Sequence, residues 1–129
     1  MKLTIEPLTP LIGAEIEGID VTKITNEEFA GLFQAFVDHS VIFLRNQPQM
    51  SAEQHPTFAQ RCGEIHIHPA ARGKPAEHPG LLKMRTSSES KVAAGNRWHS
   101  DVSCDAKPPQ ASILQLHQIP PLGGDTLFA

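Results

Sequence analysis

One stripe of apolar side chains narrows the fold more than anything else in the sequence. Phe29, Leu32, Phe33, Phe36 and Val37 recur at i, i+3, i+4, i+7 and i+8, while Glu27, Glu28, Gln34 and Asp38 fall off that line. This spacing covers one side of an α-helix, and such a helix must pack that side on another element to stay folded. Thr25 stands three residues before Glu28, the reciprocal spacing in which each side chain takes up an orphan N–H of the first turn. The nearest packing partner is Val41-Ile42-Phe43-Leu44, a β-branched and aromatic run between Ser40 and Asn46 that reads as a buried strand. Upstream, Leu3 to Glu6 alternates until Pro7, and Ala14 to Glu17 alternates between Gly13 and Gly18. Both read as short strands.

Ser51 with Gln54 announces a second helix, yet Pro56 inside it lacks a backbone N–H, so the helix either kinks there or begins there. Phe58 and Cys62 then face inward, and Gly63 is the left-handed stop. Beyond Gly63 the period changes. Ile65 and Ile67 alternate with His66 and His68, Ala70 to Gly80 is a Pro- and Gly-punctuated loop, and Leu81 to Thr86 is a candidate strand. Thr86 to Asn96, polar and rich in small residues, reads as a mobile connection. Trp98, Ser100 and Val102 next point one way and His99, Asp101 and Ser103 the other. Pro108-Pro109 breaks the chain, Ala111 to Ile119 reads as a long strand, and Gly123-Gly124 as a hairpin into Thr126-Leu127-Phe128. Helices first and antiparallel strands later predict an α+β fold leaning toward a sandwich or jelly roll.

At 129 residues the chain has room for one core. Eleven Lys and Arg against 14 Asp and Glu leave a net charge of −3, which argues against non-specific nucleic-acid binding. With 40% apolar and 19% charged residues the composition is globular. Val41 to Leu44 is far shorter than the roughly 20 residues that cross a bilayer, and no export-type apolar stretch precedes Glu6. The chain therefore reads as cytoplasmic, with Cys62 and Cys104 as free thiols. Chemistry is best sought among the seven histidines. His39 suits the end of the first helix, where its ring meets the dipole. His55 and His78 read as solvated, His117 as a histidine satisfied within a core, and Trp98 as packing beneath a site.

His99-Ser100-Asp101 is the exception. On a strand, residues i and i+2 share a face, so an imidazole nitrogen and a carboxylate oxygen reach one metal ion together. The pair is two-thirds of the 2-His-1-carboxylate set that holds Fe(II) and leaves positions open for other ligands. A hydrogen-bonded pair at a strand edge has the same spacing, and at this point both readings stand.

The wider context bears on the choice. Asn96-Arg97-Trp98-His99-Ser100-Asp101-Val102-Ser103 resembles the metal-binding strand of the taurine dioxygenase-like (TauD/TfdA) family of iron(II)- and 2-oxoglutarate-dependent dioxygenases. Val41-Ile42-Phe43-Leu44-Arg45-Asn46-Gln47, Arg61-Cys62-Gly63-Glu64 with His66-Ile67-His68-Pro69, Pro108-Pro109, and Gly123-Gly124-Asp125-Thr126-Leu127-Phe128 also follow that family's order and intervals. The resemblance implies one incomplete domain over 1–129, the N-terminal portion of a double-stranded β-helix (jelly roll, clavaminate synthase-like) with flanking helices. It implies that His99 and Asp101 are iron ligands and that Thr126 hydrogen-bonds the 2-oxoglutarate carboxylate. It further implies that His68 holds the acidic head group of the substrate and that Asn96 helps to place it. The cofactor would be Fe(II) and the cosubstrate 2-oxoglutarate, with dioxygen and a small acidic organic molecule as partners and neither nucleic acid nor membrane. Ala70 and Ala71 follow Pro69 where taurine-specific members often carry an aromatic residue, so the implied substrates are sulfonates or carboxylates at large.

The family's second metal histidine and its 2-oxoglutarate arginine come from strands downstream of the Gly-Gly-Asp-Thr segment. The chain is therefore expected to be the inactive front part of a dioxygenase, with two metal ligands. Its unpaired strand edges would favour association with another copy. Two alternatives remain: a non-catalytic remnant, and a small cupin-like or zinc-hydrolase domain closing a local site from His66, His68, His99 and Asp101.

Overall fold

The computed structural model describes residues 3–73, 75–91 and 95–129. Val92, Ala93 and Ala94, in the middle of the expected mobile connection, lie outside the described residues. The chain divides into two units, one of Met1–Met50 with Gln115–Ala129 and the other of Ser51–Leu114.

The first unit is built around a small mixed sheet. Strand β1 (Thr4–Pro7) pairs antiparallel with β2 (Ala14–Glu17), with Thr4 opposite Glu17 and Pro7 opposite Ala14. Gly13, at φ +89, makes the turn between them, a backbone region open to glycine because it lacks a Cβ. Helix α1 (Asn26–His39) then carries the chain to the short strand β3 (Ile42–Phe43), which pairs parallel to β2. The order β1-β2-β3 puts β2 in the centre. A parallel neighbour requires a crossover, and α1 supplies it.

Helix α1 begins as its sequence predicts. Thr25 Oγ1 accepts from the Glu28 N–H at 3.2 Å, and Glu28 Oε2 accepts from the Thr25 N–H at 2.9 Å. Its inward face is narrower than the apolar stripe suggests. Leu32 and Ala35 are buried, Phe29, Phe33 and Phe36 are half-buried with their rings 6.2 Å apart in sequence, and Val37 is exposed. The face that meets the sheet is thus centred between Leu32 and Ala35, and a small alanine lets the helix approach β2. Ala14, Ile16, Ile19, Val21 and Met50 complete the core. Gln47 ties the 19–21 segment to the chain after β3, accepting from the Val21 N–H at 3.0 Å and donating to the Ile19 carbonyl at 3.2 Å.

In the second unit, helix α2 (Gln54–Gln60) starts two residues before Pro56 and does not need to kink. Pro56 falls in the first turn, where a backbone N–H has no intrahelical acceptor and its loss is harmless. Ser51 and Gln54 exchange the reciprocal bonds predicted for them, at 2.9 and 3.1 Å. Gly63 follows at φ +150. His55 is not solvated as expected: it is half-buried, and its Nε2 bonds the Ile113 carbonyl at 3.1 Å.

The strands predicted after Gly63 do not form. Leu81–Thr86, Trp98–Ser103, Ala111–Ile119 and Thr126–Phe128 run without a paired ladder, and Pro69–Ala71 is a 3-10 turn. Alternation itself survives, because Ala111 and Ile113 are half-buried while Ser112 and Leu114 are exposed. Side-chain alternation needs only an extended backbone beside a surface, whereas a strand also needs a neighbour that accepts its N–H groups. The architecture is mixed α and β with a small sheet, and no helix among the described residues is long and apolar enough to cross a membrane.

Candidate metal centre

The residues singled out by spacing lie in the second unit. His99 and Asp101 do face each other, with Nε2 and Oδ1 3.4 Å apart. They do so on a turn and not on the expected strand. Val102 takes φ +49 immediately after Asp101, and the Asp105 N–H closes the turn on the Val102 carbonyl at 3.1 Å. A β-branched residue at positive φ costs on the order of 1–3 kcal/mol and cannot continue a strand.

Each member of the pair is held from behind. His99 Nδ1 lies 2.6 Å from the Arg97 carbonyl, which can only accept, so that nitrogen carries a proton and the neutral ring would present the Nε2 lone pair. Asp101 Oδ2 accepts from Ser112 Oγ at 2.7 Å, which leaves Oδ1 turned toward the imidazole. Gly95, at φ +80, lies against the ring: a Cβ there would sit 3.4 Å from His99 Cε1. About half of each side chain is exposed, 53% for His99 and 52% for Asp101.

This donor set fits a divalent cation. A charge-assisted N–H···O bond is about 2.7–2.9 Å long, and 3.4 Å exceeds it. Two ligands at right angles on bonds of about 2.1 Å stand about 3.0 Å apart, so a small inward shift of either side chain completes the edge. The hydrogen bonds to the outer atoms of both groups are those that fix the orientation of metal ligands.

Among the described residues no group of three or more His, Cys, Asp or Glu is arranged to hold a metal. The closed site of His66, His68, His99 and Asp101 is not formed, because His66 is committed elsewhere. His66 Nε2 donates to Asp105 Oδ2 at 2.8 Å, Arg72 bonds the same oxygen, and the Ala106 N–H donates to Oδ1 at 2.9 Å. Asp105 thereby ties the 66–72 segment to the turn that follows Asp101. His68 opens the 3-10 turn with Nδ1 accepting from the Ala70 N–H at 3.1 Å, which puts the proton of the neutral ring on Nε2. Asn96 is exposed beside Gly95. Trp98 is 72% exposed and does not pack beneath the pair as expected. Thr126 belongs to the first unit, where the Phe128 ring meets Phe43 of β3 edge-on at 6.1 Å. His117 is in that unit too, bonded through Nδ1 to Gln49. An open cleft of about 420 Å³ between α2 and Pro79-Gly80 includes none of these site residues in its lining.

The bond from His66, then that from Arg72, holds the Asp105 carboxyl below its ordinary range. A carboxyl lowered on folding stabilises the fold above its unfolded pKa of about 3.9, and that contribution is lost as pH falls through the lower folded value. Carbon-13 NMR of the Asp105 carboxyl should show a midpoint below about 3.9. His66→Ala should raise it more than Arg72→Ala, and an unshifted midpoint in both variants would show that neither bond persists in solution.

The sequence profile described as "Taurine catabolism dioxygenase TauD, TfdA family" matches residues 4–129. The chain belongs to this family. Among TauD/TfdA relatives, the "Alpha-ketoglutarate-dependent sulfate ester dioxygenase" of Pseudomonas putida is 32% identical over 130 residues, covering 100% of this chain and 42% of its own. The "Alkylsulfatase" of Acinetobacter baylyi is 33% identical over 129 residues, with 99% and 39% coverage. Among solved structures, a taurine dioxygenase from Burkholderia xenovorans superposes with a TM-score of 0.64 at 30% identity, covering 83% of this chain and 37% of that one. The chain thus spans about two-fifths of the length of these relatives.

Sequence reasoning found the His99–Asp101 pair and missed Ser112, Asp105 and Gly95. A serine in an apolar run and an aspartate in a loop carry no local signal of a partner 11 or 39 residues away.

Proposed function

We propose that this chain carries the His-x-Asp half of the metal site of an Fe(II)- and 2-oxoglutarate-dependent dioxygenase acting on a small organic acid, sulfonate, sulfate ester or carboxylate. The observation that carries the reading is the facing pair of His99 Nε2 and Asp101 Oδ1, each with its outer atom hydrogen-bonded, in a TauD/TfdA chain. The relatives named for sulfate esters and alkyl sulfates support an oxyanion-bearing substrate.

In this reading His99 and Asp101 hold the iron. With 2-oxoglutarate bound, the iron would supply oxidising chemistry drawn from dioxygen and the keto acid. Thr126 donates its hydroxyl to the 2-oxoglutarate carboxylate, which the adjacent glycines allow to approach the backbone. His68 donates Nε2–H to the anionic head of the substrate, and Asn96 helps to orient it. Asp105 holds the His68 segment through His66 and Arg72, so substrate position and metal position are set by one folded unit. The third ligand and the arginine that pairs with 2-oxoglutarate come from sequence corresponding to the remaining three-fifths of the relatives. In this reading the 129 residues belong to one jelly-roll domain, and segments that run without a paired ladder find their strand partners elsewhere in it.

Anaerobic titration with Fe(II) and 2-oxoglutarate tests this. A version extended to the length of the relatives should develop the visible charge-transfer band of the chelate, and the 129-residue chain should not. A band in the short chain would mean that a local histidine or a second copy completes the site, and no band in either would sink the dioxygenase reading.

A further inference from the structure

We infer that Ser112 is a positioning residue for the metal site: its hydroxyl anchors one oxygen of Asp101 so that the other alone is presented beside His99. The inference rests on the assignment of His99 and Asp101 as ligands. An aspartate carboxyl rotates freely about its last torsion, and its two oxygens are equivalent until something distinguishes them. Ser112 Oγ does so, donating to Oδ2 at 2.7 Å, close to the length of a hydroxyl bond to a charged oxygen. Oδ1, 3.4 Å from His99 Nε2, is then the oxygen left for a cation.

What makes Ser112 a support and not a chance neighbour is that it is itself fixed by a separate element. The next residue, Ile113, gives its carbonyl to His55 Nε2 on α2 at 3.1 Å. Pro108-Pro109 restricts the backbone that leads into the segment. The chain of contacts therefore runs from α2 through Ile113 and Ser112 to Asp101, independent of the turn that bears Asp101. The nearer serines do not compete, because Ser100 Oγ donates to Ser103 Oγ at 2.7 Å. His99 needs no such distant partner, since its Nδ1 is held by the Arg97 carbonyl two residues away. The two ligands are thus oriented by different means, one from its own backbone and one across 11 residues of sequence.

Mn(II) titration of the 129-residue chain, read by water-proton relaxation, separates this role from the ligand assignment. Ser112→Ala should weaken Mn(II) binding about tenfold, the lower end of what loss of an outer hydrogen-bond partner costs a metal site. Ser112→Thr keeps the hydroxyl and should bind near the wild-type value, and Ser103→Ala should be unchanged. Circular dichroism identical to wild type excludes misfolding as the cause. Wild-type affinity in Ser112→Ala, with binding lost in His99→Ala, would overturn the positioning role and leave the ligands assigned. An equal loss in Ser112→Ala and Ser112→Thr with the fold intact would overturn it as well. Undiminished binding in His99→Ala would overturn the ligand assignment and this inference with it.

Discussion

Replacing His99 by alanine should reduce Mn(II) binding to the level of any exposed carboxylate. Once the imidazole is gone, Asp101 offers a single oxygen at a side chain that is 52% exposed, with Ser112 occupying the other. A lone carboxylate does not hold a divalent cation against water, so in the proposed site affinity would come from chelation by the two groups together. The loss should therefore exceed the roughly 10- to 100-fold cost of removing an outer partner. His78→Ala is the matched control, since His78 lines the cleft beside α2 and not the pair. His55→Ala is a poor control, because His55 holds the Ile113 carbonyl next to Ser112. Equal retention of Mn(II) in His99→Ala and His78→Ala would remove His99 from the site.

The elements that could be read from the sequence are those whose determinants are local. Helix α1 is fixed by a cap three residues long and a stripe five residues deep, and both Thr25 and Glu28 make the bonds their spacing predicts. Its buried edge was harder to read. Ala35 is buried and Val37 exposed because the face is set by where β2 lies, which no periodicity reports. Likewise Pro56 looked like a break and turned out to occupy a position where its missing N–H is free of cost. The later strands fail for the complementary reason. Alternation from Ala111 to Leu114 was legible and survives as alternating exposure, yet pairing depends on a second segment that the pattern does not name.

The site divides the same way. The i, i+2 spacing of His99 and Asp101 brings them together, although Val102 bends the chain into a turn instead of a strand. A shared direction for two side chains two residues apart survives that change of backbone, so the pairing was readable while the conformation was not. The bond from Ser112 to Asp101 was invisible because it acts across sequence, as do the bonds of Asp105 to His66 and Arg72. These contacts are long in sequence and short in space.

The first unit should be unusually sensitive at Ile16. Only seven apolar residues among those described are buried, and Ile16 is the largest side chain of the fully buried ones, at 1% exposure in the central strand. It lies opposite Ile5 of β1 and two residues from Ala14, while α1 packs on the same strand. Truncation to alanine should cost about 2–5 kcal/mol, because β2 is hydrogen-bonded on both edges and cannot collapse into the space. Against a typical domain stability of about 5–15 kcal/mol, that is a large share of what holds a core of this size together. Ile16→Val, which keeps the branched shape, should cost about 0.5–1.5 kcal/mol. Urea unfolding of the three chains measures the difference. The consequence reaches the Gly-Gly-Asp-Thr segment, because Phe128 is seated on Phe43 of β3 and loses its platform when the sheet loosens. If Ile16→Ala cost no more than Ile16→Val, β2 would not be the centre of the unit, and the burial of Ile16 would have to be maintained by a neighbour that moves in to fill the space.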